Sequence, residues 1–226
     1  MKVLIACARS QMGRREFAAR GWDAWSCDLE PAFDGSARHI VCDVRGGILE
    51  EDWDLIIAHP PCTRLTRAGR QRLSGAGFWT QPKRLPKGRT YESLLAEFEL
   101  GVELFKTCWQ APCAHVAVEN PVMHDLARER FARELPDLPA PQLVQPFWFA
   151  EPAYKETGWY LRGLPALRPT RILPEPARHS LEWREWNAVA LAPPGPDRAT
   201  ERSVSFLGMT IAQAEQWTAY LKEAPT

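Results

Sequence analysis

Trp53-Asp54-Leu55-Ile56-Ile57-Ala58-His59-Pro60-Pro61-Cys62 is the stretch whose reading decides the fold. An acidic residue, a run of aliphatics and a rigid Pro-Pro-Cys describe a central, buried strand that ends abruptly. The prolines fix φ and withdraw backbone donors, so the ladder stops and Cys62 is presented from a stiff platform. In open α/β sheets the carboxyl edge of the strands is where ligands bind. A thiol held there is a candidate nucleophile, whereas an isolated Pro-Pro-Cys is more simply a structural thiol before a turn.

Working outward, aliphatic strands alternate with helical spacing. Lys2–Cys7 reads as a strand and Met12–Arg20 as a helix stopped by Gly21. Trp22–Cys27 is a second strand ending in Asp28, His39–Cys42 a third ending in Asp43, and Asp54–Ala58 the fourth. Tyr91–Trp109 predicts the longest helix, with Leu94, Leu95, Phe98, Val102 and Phe105 as its apolar stripe. His115–Val118 is a fifth strand, ending in Glu119-Asn120-Pro121, and Met123–Leu135 a further helix. This alternation predicts a doubly wound, mostly parallel α/β sheet. Leu143–Phe149 and Gly158–Leu161 predict two more strands, and Ile211–Leu221 a closing amphipathic helix. Between them lies a Pro-rich, irregular excursion at residues 163–202; Gly163–Asp197 holds many of the chain's 20 prolines.

A chain of 226 residues with 45% hydrophobic content suits a single domain over residues 1–226. No apolar run approaches the roughly 18 residues that span a bilayer. The apolar stretch at the N-terminus is too short for a signal peptide, so a cytoplasmic protein with no membrane partner is expected. The six cysteines form no compact framework and read as reduced thiols. Cys108, Cys113 and His115 match no standard zinc spacing, and no metal is expected.

Net charge is zero, which disfavours a general nucleic-acid binder, but its placement is uneven. The loop at residues 63–90 carries Arg64, Arg67, Arg70, Arg72, Lys83, Arg84, Lys87 and Arg89 and no acidic residue. Such a run is ordinarily a solvated face; beside a candidate nucleophile it points to a phosphate-bearing substrate. Gly75-Ala76-Gly77 within it suggests a mobile segment.

Four strand ends carry polar groups: Asp28, Asp43, the His59–Cys62 segment and Glu119-Asn120. A lone aspartate is usually a turn or N-cap residue. In a parallel sheet, however, these ends share one edge, and acids after the second and third strands suit the hydroxyls and amine of a nucleoside cofactor.

This order of motifs resembles the cytosine-C5 methyltransferases, and more closely their short phage and prophage members. The resemblance rests on Ala19-Arg20-Gly21 with Asp23-Ala24-Trp25-Ser26-Cys27-Asp28-Leu29, on the Asp54–Cys62 stretch, on Glu119-Asn120-Pro121, on Trp159-Tyr160-Leu161-Arg162-Gly163-Leu164-Pro165 and on Glu201-Arg202-Ser203. It implies a Rossmann-like fold of the S-adenosylmethionine-dependent type and transfer of a methyl group to C5 of cytosine in DNA. Cys62 would be the nucleophile, Glu119 the acid that engages N3 and the exocyclic amine, and Asn120 a brace of the strand end. S-adenosylmethionine would lie along Ala6, Cys7, Ser10, Asp28, Leu29, Asp43, Val44 and Pro60. A free cytidine nucleotide as substrate, or a non-catalytic nucleic-acid-binding protein on the same scaffold, are the alternatives. Three departures from the family pattern stand out. Ala8 and Gln11 stand where the phage proteins carry an acidic residue and a glycine. Thr63 follows Cys62 in place of the usual glutamine. Lys155-Glu156-Thr157 is the nearest counterpart of the family's Gln-x-Arg-x-Arg. Well-known members also carry a long target-recognition domain, for which only the 163–202 excursion is available.

Overall fold

The aliphatic runs Lys2–Ala6 (β1) and Leu55–Ala58 (β4) lie side by side at the centre of one sheet. Their residues are at most 2% exposed from Val3 to Ala6 and from Leu55 to Ala58, as expected of strands covered on both faces. The computed structural model describes residues 1–67, 88–191 and 205–223. Around the central pair stand Asp23–Asp28 (β2), His39–Val41 (β3), Val116–Glu119 (β5), Gln142–Val144 (β6) and Thr157–Arg162 (β7). The order across the sheet is β3-β2-β1-β4-β5-β7-β6. Pairings from β3 through β5 are parallel, while β7 runs antiparallel to both β5 and β6. The result is a Rossmann-like, doubly wound, mostly parallel sheet. Strand order reverses between β1 and β4, which makes that edge the ligand-binding crevice of such sheets.

One face is covered by Tyr91–Trp109 (α2) and Asp125–Glu134 (α3), which pack Phe98, Phe105 and Phe131 against Leu4, Ile56 and Val118. The other is covered by Met12–Ala18 (α1) and the C-terminal Leu207–Glu223 (α6), which pack Phe17, Met209, Ala212 and Trp217 against Val3, Ile5, Ile57 and Trp159. The α6 contact is fixed by a hydrogen bond from Trp22 Nε1 to Thr218 Oγ1 at 2.8 Å. α2 begins at a capping box, in which Thr90 and Ser93 each accept the other's backbone N–H.

Several expectations are corrected. The apolar stripe of α2 excludes Leu95, which is 41% exposed; Leu94, Phe98, Val102 and Phe105 form the buried row. The predicted strand Leu143–Phe149 stops at Val144 because Pro146 cannot donate to a ladder, and Pro146–Trp148 winds into a 3-10 turn. The excursion after Gly163 contains two short helices, Leu181–Trp186 (α4), capped by the Ser180 hydroxyl, and Ala188–Leu191 (α5). Its remainder from residue 192 to 202, including Glu201-Arg202, lies outside the described residues, as does Ser203.

No helix among the described residues is long and apolar enough to cross a membrane. Cys113 donates to the backbone carbonyls of Trp53 and His115. Among the described residues, no group of three or more His, Cys, Asp or Glu could hold a metal ion.

Candidate active site

The strands end level with one another. Ala6 pairs with both Cys27 and Ala58, and Ala58 pairs with Val118. The next residue on each strand therefore stands at one height, which brings Cys7, Asp28, His59 and Glu119 to the same edge. This convergence follows from register alone, since neighbouring parallel strands with matched ends present the residue beyond each end together.

Beyond His59, Pro60 is buried and Pro61 exposed, and the chain then turns tightly: the Cys62 carbonyl accepts from the N–H groups of Leu65 and Thr66 at 2.9 and 3.2 Å. This turn is laced to the segment that follows β5. Thr66 bridges Met123, and the N–H of His124 donates to the Leu65 carbonyl at 3.0 Å. His124 completes the lacing with its ring. Nε2 donates to the Arg64 carbonyl at 2.8 Å while Nδ1 accepts the Ala127 N–H at 3.0 Å, capping α3. A carbonyl can only accept, so the imidazole is the neutral Nε2–H tautomer. Against the other side of the turn lies Gly101 of α2, where a Cβ would sit 3.4 Å from the Pro61 carbonyl oxygen and 3.4 Å from Leu65. Two helices thus clamp the loop that carries Cys62, which is itself partly accessible.

Glu119 is mostly buried, with 15% of its side chain exposed, and its Oε2 lies 3.6 Å from His59 Nδ1. Burial works against its charged form, but contact with His59, and beyond it the charge of Lys155, outweighs burial and holds the carboxyl below the usual carboxylate range. Asn120, fully buried, donates from Nδ2 to the Pro121 carbonyl at 2.5 Å, while its Oδ1 has no hydrogen-bond partner. The backbone of Asn120 accounts for Gly158. Its N–H donates to the Gly158 carbonyl, and its own oxygen would lie 2.5 Å from a Cβ at that position.

Four of the other cysteines are poor candidates for a nucleophile. A hydrogen bond with Cys108, then burial and the nearby charges of Asp28 and Asp43, push the Cys7 thiol well up. Burial pushes Cys27, Cys42 and Cys113 up as well. A thiol that stays protonated is a weak nucleophile.

On the β1–β2 side, Ala6 is the buried last residue of β1, and Cys7 adopts a left-handed φ of 55° as the chain turns away. The Ser10 hydroxyl lies 3.5 Å from the Met12 N–H. Gln11 has an ordinary φ of −89° and points inward, where its amide oxygen accepts from Arg14 at 2.6 Å and its nitrogen donates to the Arg9 carbonyl. The side chain at this position is thus buried, and its φ is not one that favours glycine. Asp28 accepts the Glu30 N–H, and Leu29 beside it is 68% exposed. Asp43 is gripped by Arg45 through Nε and Nη2 and by its backbone N–H; these bonds lower its carboxyl to about 2. Val44 is buried beside it.

Of the basic loop, Arg64 and Arg89 both converge on Glu97, Arg64 through Nε at 2.7 Å, and Arg67 is exposed. Arg70, Arg72, Lys83, Arg84 and Lys87, with Gly75-Ala76-Gly77, lie outside the described residues. An open recess of about 600 Å3 is lined by α2, its cap Gln110 and α3. Its charges are already paired as Lys106–Glu134 and Arg130–Glu99, and none of its lining residues is at a strand end.

Sequence reasoning missed His124 and the pairing of His59 with Glu119, and it named Lys155 only within Lys155-Glu156-Thr157, not as a charge acting on Glu119. Only His59 left a signal, as a polar residue interrupting an otherwise apolar strand end.

No protein-family model matches the chain, and no curated protein matches it. Among solved structures, it is similar to a prophage-encoded protein of E. coli assigned as a DNA modification methyltransferase: 16% identity, TM-score 0.47, 77% of this chain and 52% of that one. It is also similar to the S. pombe Dnmt2 methyltransferase: 16% identity, TM-score 0.42, 74% of this chain and 52% of that one. The chain spans about half the length of each.

Proposed function

We propose that the chain transfers a methyl group from S-adenosylmethionine to C5 of cytosine in DNA, through a covalent bond to Cys62. The observation that carries this reading is the lacing of the turn that starts at Cys62 to the segment that follows Glu119, the last residue of β5, beside the switch-point edge. C5 of cytosine is a poor nucleophile. Addition of the Cys62 thiolate to C6 makes it enamine-like, and Glu119 engages N3 and the exocyclic amine where charge accumulates. Asn120 braces the strand end. In duplex DNA the target base must leave the stack to reach Cys62.

The residues on the β1–β2–β3 side fit the cofactor. With Gln11 turned inward the loop after β1 stays open, Asp28 suits ribose hydroxyls, and the uncovered Leu29 offers an apolar face to adenine. Asp43 would receive the adenine amine while keeping Arg45, since a carboxylate has about four acceptor sites. Ala6, Cys7, Ser10, Val44 and Pro60 would complete the wall. When bound, the group supplies an electrophilic sulfonium methyl. Arg67, with Arg70, Arg72, Lys83, Arg84 and Lys87, would meet the phosphate backbone. A second reading, modification of a free cytidine nucleotide, is favoured by the spending of Arg64 and Arg89 on Glu97, which leaves fewer cations for a phosphate backbone.

The test is trapping. DNA substituted with 5-fluorocytosine, incubated with the protein and S-adenosylmethionine, should yield a covalent adduct that Cys62→Ser abolishes. Methyl transfer that survives Cys62→Ser would overturn the C5 mechanism.

A further inference from the structure

Resting on that reading, we propose that His59 is a positioning residue for Glu119. It grips one carboxylate oxygen and supplies the proton that Glu119 passes to N3 of the base.

The argument begins with register. Ala58 pairs with Val118, so His59 and Glu119 are next along adjacent strands, and Glu119 in turn pairs with Trp159 of β7. Register partners share a face, so His59, Glu119 and Trp159 form a row across three strands at the carboxyl edge. The contacts bear out that row. His59 Nδ1 lies 3.6 Å from Glu119 Oε2, and its ring stands edge-on to Trp159, with centroids 5.5 Å apart and planes at 83°. The His59 N–H, bonded to the Ala6 carbonyl at 3.0 Å, fixes the backbone beneath. Trp159 is 1% exposed and cannot yield, so the imidazole is wedged between a rigid wall and the carboxylate. With Oε2 turned toward His59, Oε1 is the oxygen left to face a base.

Chemistry gives this grip a purpose. A carboxylate accepts from the exocyclic amine of cytosine but has no proton for N3. When the Cys62 sulfur bonds to C6, the C5=C6 π pair shifts into the ring and negative charge builds at N3. One proton neutralises it, leaving His59 Nδ1 for the Glu119 carboxylate and passing from that carboxyl to N3, so that His59 goes from imidazolium to imidazole and Glu119 ends as the carboxylate it began as. When a solvent water takes the proton from C5, the C5–H pair re-forms the C5=C6 bond, the S–C6 pair leaves on the Cys62 sulfur, and the N3 proton passes back along the same path. The groups that face Glu119 are His59 from the end of β4 and Lys155 from the segment before β7. His59 Nδ1 touches Oε2 whereas Lys155 acts on the carboxyl only through its charge, which selects His59 for the task.

The experiment follows tritium release from [5-3H]cytosine DNA and adduct formation on 5-fluorocytosine DNA, in wild type, His59→Ala and His59→Gln. Both variants should slow the reaction at least about tenfold with little change in KM for DNA, and added imidazole should restore the rate of His59→Ala. Carbon-13 titration of the Glu119 carboxyl without ligand should show its midpoint rising in both variants. Rates within about twofold of wild type in either folded variant would overturn the role of His59 alone. Slow variants that imidazole leaves unchanged would overturn it too, by reducing His59 to a structural pair. A wild-type protein that forms no adduct would overturn the methyl-transfer reading first, and this inference with it.

Discussion

The imidazole of His124 ties the Arg64 carbonyl, 60 residues earlier in the chain, to the first turn of α3 by one bond from each ring nitrogen. A single buried side chain thereby sets the distance between the loop bearing Cys62 and the loop after Glu119. It also caps a helix, so its two functions can be separated by mutation.

His124→Ala should lower stability by about 2 kcal/mol, from a lost cap and an orphaned carbonyl. His124→Asn can still accept the Ala127 N–H but is too short to span to Arg64. It should recover most of the stability and none of the clamp, so thermal denaturation should separate the two variants while both lose Cys62 adduct formation. Full activity in His124→Asn would show that the clamp is not what positions the thiol.

Gly158→Ala should destabilise by about 2 kcal/mol or more, because the new methyl meets the Asn120 carbonyl oxygen, a backbone atom with nowhere to go. Denaturant unfolding measures the loss. The second effect should be a displaced β5 end, read as loss of Glu119-dependent chemistry. An Ala variant of unchanged midpoint would mean that β5 and β7 are not held as closely as this register implies.

How much of this was legible beforehand can be told residue by residue. α2 was readable to its ends because Thr90 caps it and its apolar spacing is helical, yet Leu95 misled, since an exposed leucine carries the same letter as a buried one. That Asp28, Asp43, the His59–Cys62 segment and Glu119-Asn120 follow strands of one parallel sheet was legible from strand alternation alone, because a parallel sheet brings strand ends together wherever they fall in the chain; the matched ends of β2, β4 and β5 agree for Asp28, His59 and Glu119. The turn at Pro146 was within reach of a rule about missing donors. His124, the effect of Lys155 on Glu119 and the inward turn of Gln11 were not, because each is defined by partners distant in sequence or by a side-chain direction that only packing decides.

Asp43 gives a pH prediction. Its hydrogen bonds from the Arg45 side chain and backbone lower the carboxyl to about 2, against an ordinary value of about 3.9. A depressed carboxylate adds stability above its unfolded pKa and loses it as pH falls through the folded one. The contribution is therefore complete near neutrality and disappears between about pH 4 and pH 2. Carbon-13 titration should place the Asp43 midpoint near 2, and Arg45→Ala should return it most of the way to the ordinary value. A midpoint that stays low in Arg45→Ala would mean that the Arg45 side chain is not its cause.

The basic loop divides by what its cations already touch. Arg64 and Arg89 share the Glu97 carboxylate, so their charge is partly spent, whereas Arg67 is exposed. If DNA is the substrate, log K should fall with log[salt] at a slope of about −0.9 for each phosphate neutralised. Replacing Arg67, Arg70 and Arg72 with alanine should flatten that slope by two to three such increments, to about the same degree on every sequence. Arg64→Ala should flatten it by less than one, because removing a cation that serves Glu97 releases few counterions from DNA. Fluorescence anisotropy over a salt series separates the two cases. A free nucleotide offers only one to three phosphates, so tight mononucleotide binding with a shallow slope and no retention of duplex at low salt would reverse the order of the two substrate readings.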